Sequence, residues 1–455
     1  MPVSAARATA FDILLRVQRE SSYASELLHS SVYDRLSSLD HALSTELVMG
    51  VLRWRSRLDD EIAPASSQPL SKIDLEILIA LRLALYQFRW LDRIPRRAAL
   101  HESVELVKRA RKRSAASFVN AVLRKLAARS EPIVTVLSRE SISAEFLARA
   151  LAHPLWLVER WIREYGTAAT HEICKHNQSV PITAIRLRTT DTITEEKIGL
   201  APGALLVSAR RVQTGDITKS KSYDTGRIVI QDEASQLVAV LAGHAPSGRR
   251  FRILDCCAAP GGKTLAIADR NPDAAIIAVE LHPHRARLLE RLLHMPGHAD
   301  STRASNVHIL VADARKLPTG AFFDRVLADV PCSGTGTLAR NPEIKWRLTA
   351  GDLIELQQLQ RSILRSALAQ LAPGGRLVYS TCSLEKEENE EVVENVLVSE
   401  KSCRLLDCRT ILDQLKNAGE LTWPDTASLT RGPYLRTLPG IHPCDGFFAA
   451  ILERT

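Results

Sequence analysis

The stretch Asp255-Cys256-Cys257-Ala258-Ala259-Pro260-Gly261-Gly262-Lys263-Thr264, directly behind the apolar run Phe251 to Leu254, constrains this chain more than any other. A strand over Arg252 to Leu254 runs into an acid, and a Pro-Gly-Gly turn then opens a helix at about Lys263. Only glycine lets the backbone turn that sharply and come close to a ligand. The first turn of such a helix offers unpaired N–H groups to whatever docks there. A crevice of this kind at the carboxyl end of a strand suits a nucleotide-like cofactor. The spacing matches neither the G-x-G-x-x-G of dinucleotide sites nor the lead of a phosphate-binding P-loop.

The following strands repeat the pattern. Strand two, Ala274 to Val279, ends at Glu280, placed to grip ribose hydroxyls; strand three, Val307 to Val311, ends at Asp313, able to accept from an exocyclic amine. Acids on three consecutive strand ends (Asp255, Glu280, Asp313) describe a site for an adenosyl cofactor with a cationic centre, and S-adenosylmethionine fits. Strand four, Arg325 to Ala328, runs into Asp329-Val330-Pro331-Cys332-Ser333-Gly334-Thr335-Gly336. Strand five, Gly375 to Tyr379, runs into Ser380-Thr381-Cys382-Ser383. Two cysteines are thus expected side by side on the cofactor edge of the sheet.

With these blocks in order, the sequence resembles RNA cytosine-C5 methyltransferases of the Nol/Nop/Sun type. Asn341 to Trp346, Tyr223 to Gln236 (YDTGRIVIQDEASQ) and the closing Asp445 to Ala450 carry the same likeness. Carbon 5 of cytosine is a poor nucleophile until a thiolate adds at carbon 6, after which its proton must leave and the thiolate be eliminated. The resemblance assigns the attack to Cys382 and help with elimination to Cys332. Asp329 would contact N3 or the exocyclic amine of the base, and a proton on it, favoured by burial, would stabilise the adduct. Lys263 would favour thiolate over thiol. The cofactor loop is expected to comprise Cys257, Ala258, Ala259, Pro260, Gly261, Gly262 and Lys263, joined by Glu280, Asp313 and Asp329. Two departures from the family pattern are mild: Glu280 stands where many relatives have aspartate, and Ala339-Arg340-Asn341 replaces a more basic run. An adduct on Cys332 instead would favour DNA as target. A target in transfer RNA or 23S RNA, and a non-catalytic RNA-binding scaffold, are also compatible with the residues.

The front of the chain reads differently. Apolar residues recur at helical spacing through residue 130, most clearly from Leu75 to Phe88, with polar residues mostly on the outer face. Up to residue 130 there are about 21 Lys and Arg against about 14 acids, close to the whole chain's net charge of +8. The densest part is Lys108-Arg109-Ala110-Arg111-Lys112-Arg113, with Arg93, Arg96, Arg97, Arg124 and Lys125 nearby. Clustered cations suit phosphate, so these residues are expected to bind RNA. Ile13 to Val17, Glu46 to Arg53 and Phe118 to Arg124 resemble the helical domain of the antitermination factor NusB. A NusB-like domain ahead of this methyltransferase points to the bacterial 16S ribosomal RNA methyltransferases of the RsmB (Sun) type.

The expected architecture is an all-α NusB-like domain over 1–135, a small α+β connecting region over 141–222 after a linker at Pro132 to Glu140, and a Rossmann-like seven-stranded α/β methyltransferase domain over 223–455. Trp156 and Trp161 are expected to pack rather than stack on bases. The amphipathic stretch Asp352 to Leu371, capped by Thr349 and ended by Pro373-Gly374-Gly375, reads as a crossover helix. The acidic run Glu385 to Glu394 reads as a solvated helix. No metal spacing and no C-x-x-C occur among the eight cysteines. A reduced, cytoplasmic protein is expected, with no metal or membrane and with free or partly assembled 16S ribosomal RNA as partner.

Overall fold

The computed structural model describes residues 3–20, 22–33, 36–129, 143–188, 198–245, 251–294, 306–317 and 322–455. They form two compact units, Met1–Val180 with Leu338–Arg347, and Pro181–Thr337 with Leu348–Thr455. The linker expected at Pro132 to Glu140 lies outside the described residues.

Unit one is helical: α1 (Ala5–Glu20), α2 (Ala24–Leu28), α3 (Ser38–Ile62), α4 (Leu75–Trp90), α5 (Arg96–Arg109), α6 (Ala116–Ala128), α7 (Ala144–Ala150) and α8 (Leu155–Asn177). Sequence periodicity predicts an outer polar face for α4, but every residue from Ile77 to Phe88 is buried. A helix apolar nearly all round becomes the one the others wrap. Its three buried polar side chains are satisfied inside, Arg82 forking onto Asp59 at 2.7 Å twice, Tyr86 donating its hydroxyl to Glu46 Oε1 at 2.5 Å and Gln87 accepting from Arg7 Nε at 2.7 Å. Trp161 is 1% exposed and meets His153 edge-on at 5.8 Å, a packing residue as expected.

The segment Leu338–Arg347 belongs to this unit although its neighbours on both sides belong to the other. Glu343 Oε1 accepts the α2 N–H of Ala24 at 2.7 Å, and Trp346 Nε1 and Lys345 Nζ donate to the carbonyls of Leu52 and Arg53 at 2.6 and 2.9 Å. Arg53 returns a hydrogen bond to the Ala339 carbonyl at 2.9 Å. Burial holds the Lys345 ammonium well below the usual lysine range.

Unit two contains two sheets. β1 (Ala184–Leu187), β2 (Gly199–Pro202), β3 (Ala209–Thr214) and β4 (Ile228–Ile230) form an antiparallel sheet in the order β2-β3-β1-β4. The larger sheet holds β5 (Arg252–Asp255), β6 (Ala275–Glu280), β7 (Val307–Val311), β8 (Phe323–Asp329), β9 (Leu371–Thr381), β10 (Cys403–Leu406), β11 (Thr430–Arg431), β12 (Tyr434–Arg436) and β13 (Phe448–Arg454). Its order is β11-β12-β13-β9-β8-β5-β6-β7, with β10 also on β13. Strands β9 to β7 are parallel and β13 is antiparallel to β9. The sheet therefore has nine strands rather than seven, because short strands too brief to show alternation extend its antiparallel edge.

The crossover helix runs Ala350–Leu368 and starts with the expected capping box between Thr349 and Asp352. Pro373-Gly374-Gly375 does not end it. The register jumps from Phe323↔Leu371 to Arg325↔Arg376, so these residues form an irregularity inside β9, with Gly374 at φ +70°. No helix among the described residues is long and apolar enough to cross a membrane.

Candidate active site

The strand-turn-helix read from the sequence is present. β5 ends at Asp255 and a helix runs Gly262–Arg270, with Gly261 before it at φ +115°. A Cβ at Gly261 would lie 2.6 Å from Leu289 Cδ1, so both conformation and space require glycine there. Asp255 is buried and organises the loop, accepting from Thr264 Oγ1 at 2.7 Å and from the Cys257 N–H at 3.4 Å. Burial pushes its carboxyl up from 3.8 to about 6, against the Thr264 hydrogen bond. The Ala258 N–H donates to the Val279 carbonyl at 2.9 Å, and Ala259-Pro260 is cis.

Glu280 closes β6; one oxygen accepts the His282 N–H at 2.9 Å, and the other has no partner among the described residues. Asp313 follows β7 and is gripped by Arg315, whose hydrogen bonds at 2.6 to 3.0 Å hold the carboxyl below its usual range. That ion pair is not visible in the motif, since nothing marks Arg315 as a partner.

At the ends of the adjacent strands β8 and β9, Cys332 Sγ lies 3.4 Å from Cys382 Sγ. Both thiols are partly exposed. The hydrogen bond to Cys382, burial, and the charges of Glu388 and Asp329 push the Cys332 thiol well above its usual range, so Cys332 keeps its proton. Beside them Lys263 Nζ sits 2.8 Å from Asp329 Oδ2 and 5.0 Å from the centre of the Phe447 ring. Burial works against the Lys263 ammonium, but Asp329, with Cys382 and Asp255, outweighs it and raises its pKa. Ser380 Oγ donates to the other Asp329 oxygen at 2.7 Å. Asp329 thus accepts twice. Ser380 and Phe447 lie inside the strand-end motifs, but nothing in the sequence singles them out.

Backbone contacts fix the cysteine loops. The Gly336 N–H donates to the Cys382 carbonyl at 2.9 Å, and the Gly446 N–H to the Gly336 carbonyl at 2.8 Å. Cys256, 1% exposed, packs in the core. No group of three or more His, Cys, Asp or Glu residues among those described could hold a metal ion.

Known proteins match both parts of the chain. The family described as 16S rRNA methyltransferase RsmB/F matches residues 244–453, and the NusB family matches residues 4–128. The chain is 32% identical to the probable ribosomal RNA small subunit methyltransferase B of Bacillus subtilis strain 168, with all of both chains covered. The chain belongs to the RsmB/F methyltransferase family. A second RsmB/F relative, ribosomal RNA small subunit methyltransferase B of Vibrio cholerae, is 31% identical over 91% of this chain and 90% of its own. Among solved structures, PH0851 shares the fold with a TM-score of 0.78 at 23% identity, with full coverage of both chains. A methyltransferase homolog from Pyrococcus horikoshii shares it with a TM-score of 0.54 at 24% identity, over 69% of this chain and all of that one.

The basic run of this RsmB/F chain is less available than its sequence suggests. Lys108 pairs with Glu105, Arg109 with Asp12 and Lys112 with Asp74, each at 2.7 to 2.8 Å. Two of those acids lie far away in sequence. The structure instead offers a groove of about 540 Å³ between α5 and α6, lined by Arg96, Arg97, His101, Lys108, Asn120 and Arg124. Arg93, Arg97, Arg111, Arg113 and Arg124 are exposed and without an ion pair among the described residues. The run thus splits: Lys108 lines the groove, while Arg109, Arg111, Lys112 and Arg113 do not.

Proposed function

We propose that this protein transfers a methyl group from S-adenosylmethionine to carbon 5 of a cytosine in 16S ribosomal RNA, through a covalent adduct at carbon 6. The observation that carries the reading is the 3.4 Å approach of Cys332 and Cys382 at neighbouring strand ends, beside the Lys263–Asp329 pair. The names of the relatives supply the substrate class.

The loop from Cys257 to Lys263, with Glu280, Asp313 and Asp329, would hold the cofactor. The donor set fits it, since Glu280 has an oxygen available for ribose hydroxyls and the glycine turn leaves the first helical N–H groups approachable. The cofactor supplies a methyl group on a cationic sulfur. Cys382 attacks carbon 6 as the thiolate, with the Lys263 ammonium stabilising that charge. Asp329, already an acceptor, suits the exocyclic amine of the base. After transfer the carbon-5 proton leaves to solvent and the carbon 6–sulfur bond breaks. The Cys382 thiolate is thereby restored, and Cys332, still protonated, donates a hydrogen bond to the departing sulfur.

The α5–α6 groove and the unpaired arginines would hold the RNA backbone, and the target base must be unpaired or extruded to reach the cysteines. A ribosomal RNA substrate implies a cytoplasmic protein. The test is bisulfite sequencing of 16S RNA incubated with protein and S-adenosylmethionine, with Cys382→Ala alongside. One protected cytosine, lost in the variant, is expected. No protected cytosine in naked or protein-bound 16S RNA would overturn the substrate, and an adduct on Cys332 would overturn the assignment of the nucleophile.

A further inference from the structure

The acidic run Glu385 to Glu394 is not the solvated helix that its composition suggests. Glu385 and Glu388 are 2% and 0% exposed, and a single 3-10 turn over Lys386–Glu388 precedes the α-helix Glu390–Ser399. A fully buried carboxylate is costly unless donors surround it. Glu388 has them. Its Oε1 accepts the Ser333 N–H at 2.8 Å and Gln360 Nε2 at 2.9 Å. Its Oε2 accepts the hydroxyls of Ser333 and Ser383, each at 2.5 Å. Ser333 and Ser383 are the residues immediately after Cys332 and Cys382. One carboxylate therefore ties together the two loops that carry the paired sulfurs.

Its neighbour completes the clamp on one side. Asn389, also fully buried, accepts from Thr381 Oγ1 at 2.5 Å and donates to the Ser383 carbonyl at 2.9 Å, gripping the chain on both flanks of Cys382. Gln360 also donates to the Pro331 carbonyl at 2.9 Å, on the near side of Cys332. Parallel strands place the two loops side by side, and past the ladder the Gly336 N–H bond to the Cys382 carbonyl joins their backbones without reaching the chain next to Cys332. The ladder alone therefore does not fix the distance between the sulfurs, and Glu388 supplies a tie directly behind each of them.

We propose that Glu388 is a positioning residue that sets the Cys332–Cys382 geometry by holding Ser333 and Ser383 on one carboxylate. It touches neither sulfur. The proposal rests on the methyltransferase reading above only for its kinetic readout. A misplacement of about 1 Å in such a site costs about 100-fold in rate.

The test compares Glu388→Ala, Glu388→Gln and Ser383→Ala with the parent protein by two independent readouts. One is methylation of 16S RNA resolved into kcat and KM. The other needs no RNA: iodoacetamide modification of Cys332 and Cys382 across a pH series, followed by mass spectrometry. The expected result for Glu388→Ala is a loss in kcat of about 100-fold with little change in KM for either substrate. Glu388→Gln is expected to recover part of that loss and to shift the Cys332 modification profile to lower pH, because a negative charge near that thiol is gone. If Glu388→Ala does not fold, Ser383→Ala, which removes one tie, should show the same kcat-only loss. Folded variants with parental kcat and unchanged modification profiles at both cysteines would overturn the proposal. A parent protein that methylates no RNA would strike the proposed function, while the modification profiles would still decide the role of Glu388.

Discussion

The Lys263 ammonium lies 2.8 Å from Asp329 Oδ2, and the two residues follow different strands, one in the first turn of the helix behind β5 and one at the end of β8. The pair joins the glycine turn after β5 to the cysteine loops. It also leaves Lys263 charged, because Asp329 outweighs burial. Lys263→Met would strand Asp329 with a single donor, Ser380, and remove the cation beside Cys382. The expected outcome is a fall in kcat of about 100-fold or more, and slower iodoacetamide modification of Cys382 at fixed pH. Unchanged modification kinetics would show that Lys263 does not act on the thiolate.

Asp255 predicts a pH dependence of stability. Its carboxyl is raised from 3.8 to about 6 by burial. A raised acid favours folding below its unfolded value, and that contribution is lost as pH rises through about 6. At neutral pH the ionised group then costs on the order of 3 kcal/mol. Asp255→Asn removes this titration. The stability of the variant relative to the parent should therefore fall as pH is lowered from about 7 to about 4. Urea unfolding at several pH values measures it; a difference independent of pH would contradict the assignment.

Gly336 is packed against backbone on two sides. A Cβ there would lie 2.9 Å from the Cys382 carbonyl oxygen and collide with the Gly446 backbone. Gly336→Ala must push the Cys382 loop aside. We expect a loss of about 1–3 kcal/mol in stability. The rate should fall further, by about 100-fold, since the displacement falls on the nucleophile proposed above. Thermal melting together with single-turnover methylation would separate the two effects.

The α5–α6 groove leads to a prediction about salt. Arg97→Glu and Arg124→Glu each remove a cation that has no ion pair among the described residues. RNA binding should weaken without regard to sequence, and the slope of log affinity against log salt should fall by about 0.7 to 0.9 for each phosphate no longer neutralised. Lys112→Glu, whose lysine is already paired to Asp74, should change that slope less. Binding titrations over a range of salt would show the order.

What the sequence reveals follows from how local each signal is. The β5 turn, the strand-end acids and both cysteines are legible because each is a short motif at the end of an apolar run. The capping box of the crossover helix is legible for the same reason. Glu388 is not, because its donors Ser333 and Gln360 lie 55 and 28 residues away and nothing distinguishes it from Glu387 or Glu390 in a row of acids. The basic run misleads in the opposite sense: Arg109 is neutralised by Asp12, 97 residues earlier. Charge patterning reports how many ionic groups a segment has, whereas burial and pairing are decided by chain that returns from elsewhere.

The placement of Leu338–Arg347 bears on how the protein can be divided. A gene cut at Val180 would yield a helical fragment lacking the ten residues that cap it. The α2 N–H of Ala24 and the carbonyls of Leu52 and Arg53 would lose their partners together. The cut would equally leave the catalytic fragment with Glu343, Lys345 and Trp346 deprived of the groups that satisfy them. The dependence runs one way: the second half of the gene encodes all of its own unit and ten residues of the helical one, so the helical fold is written in two places.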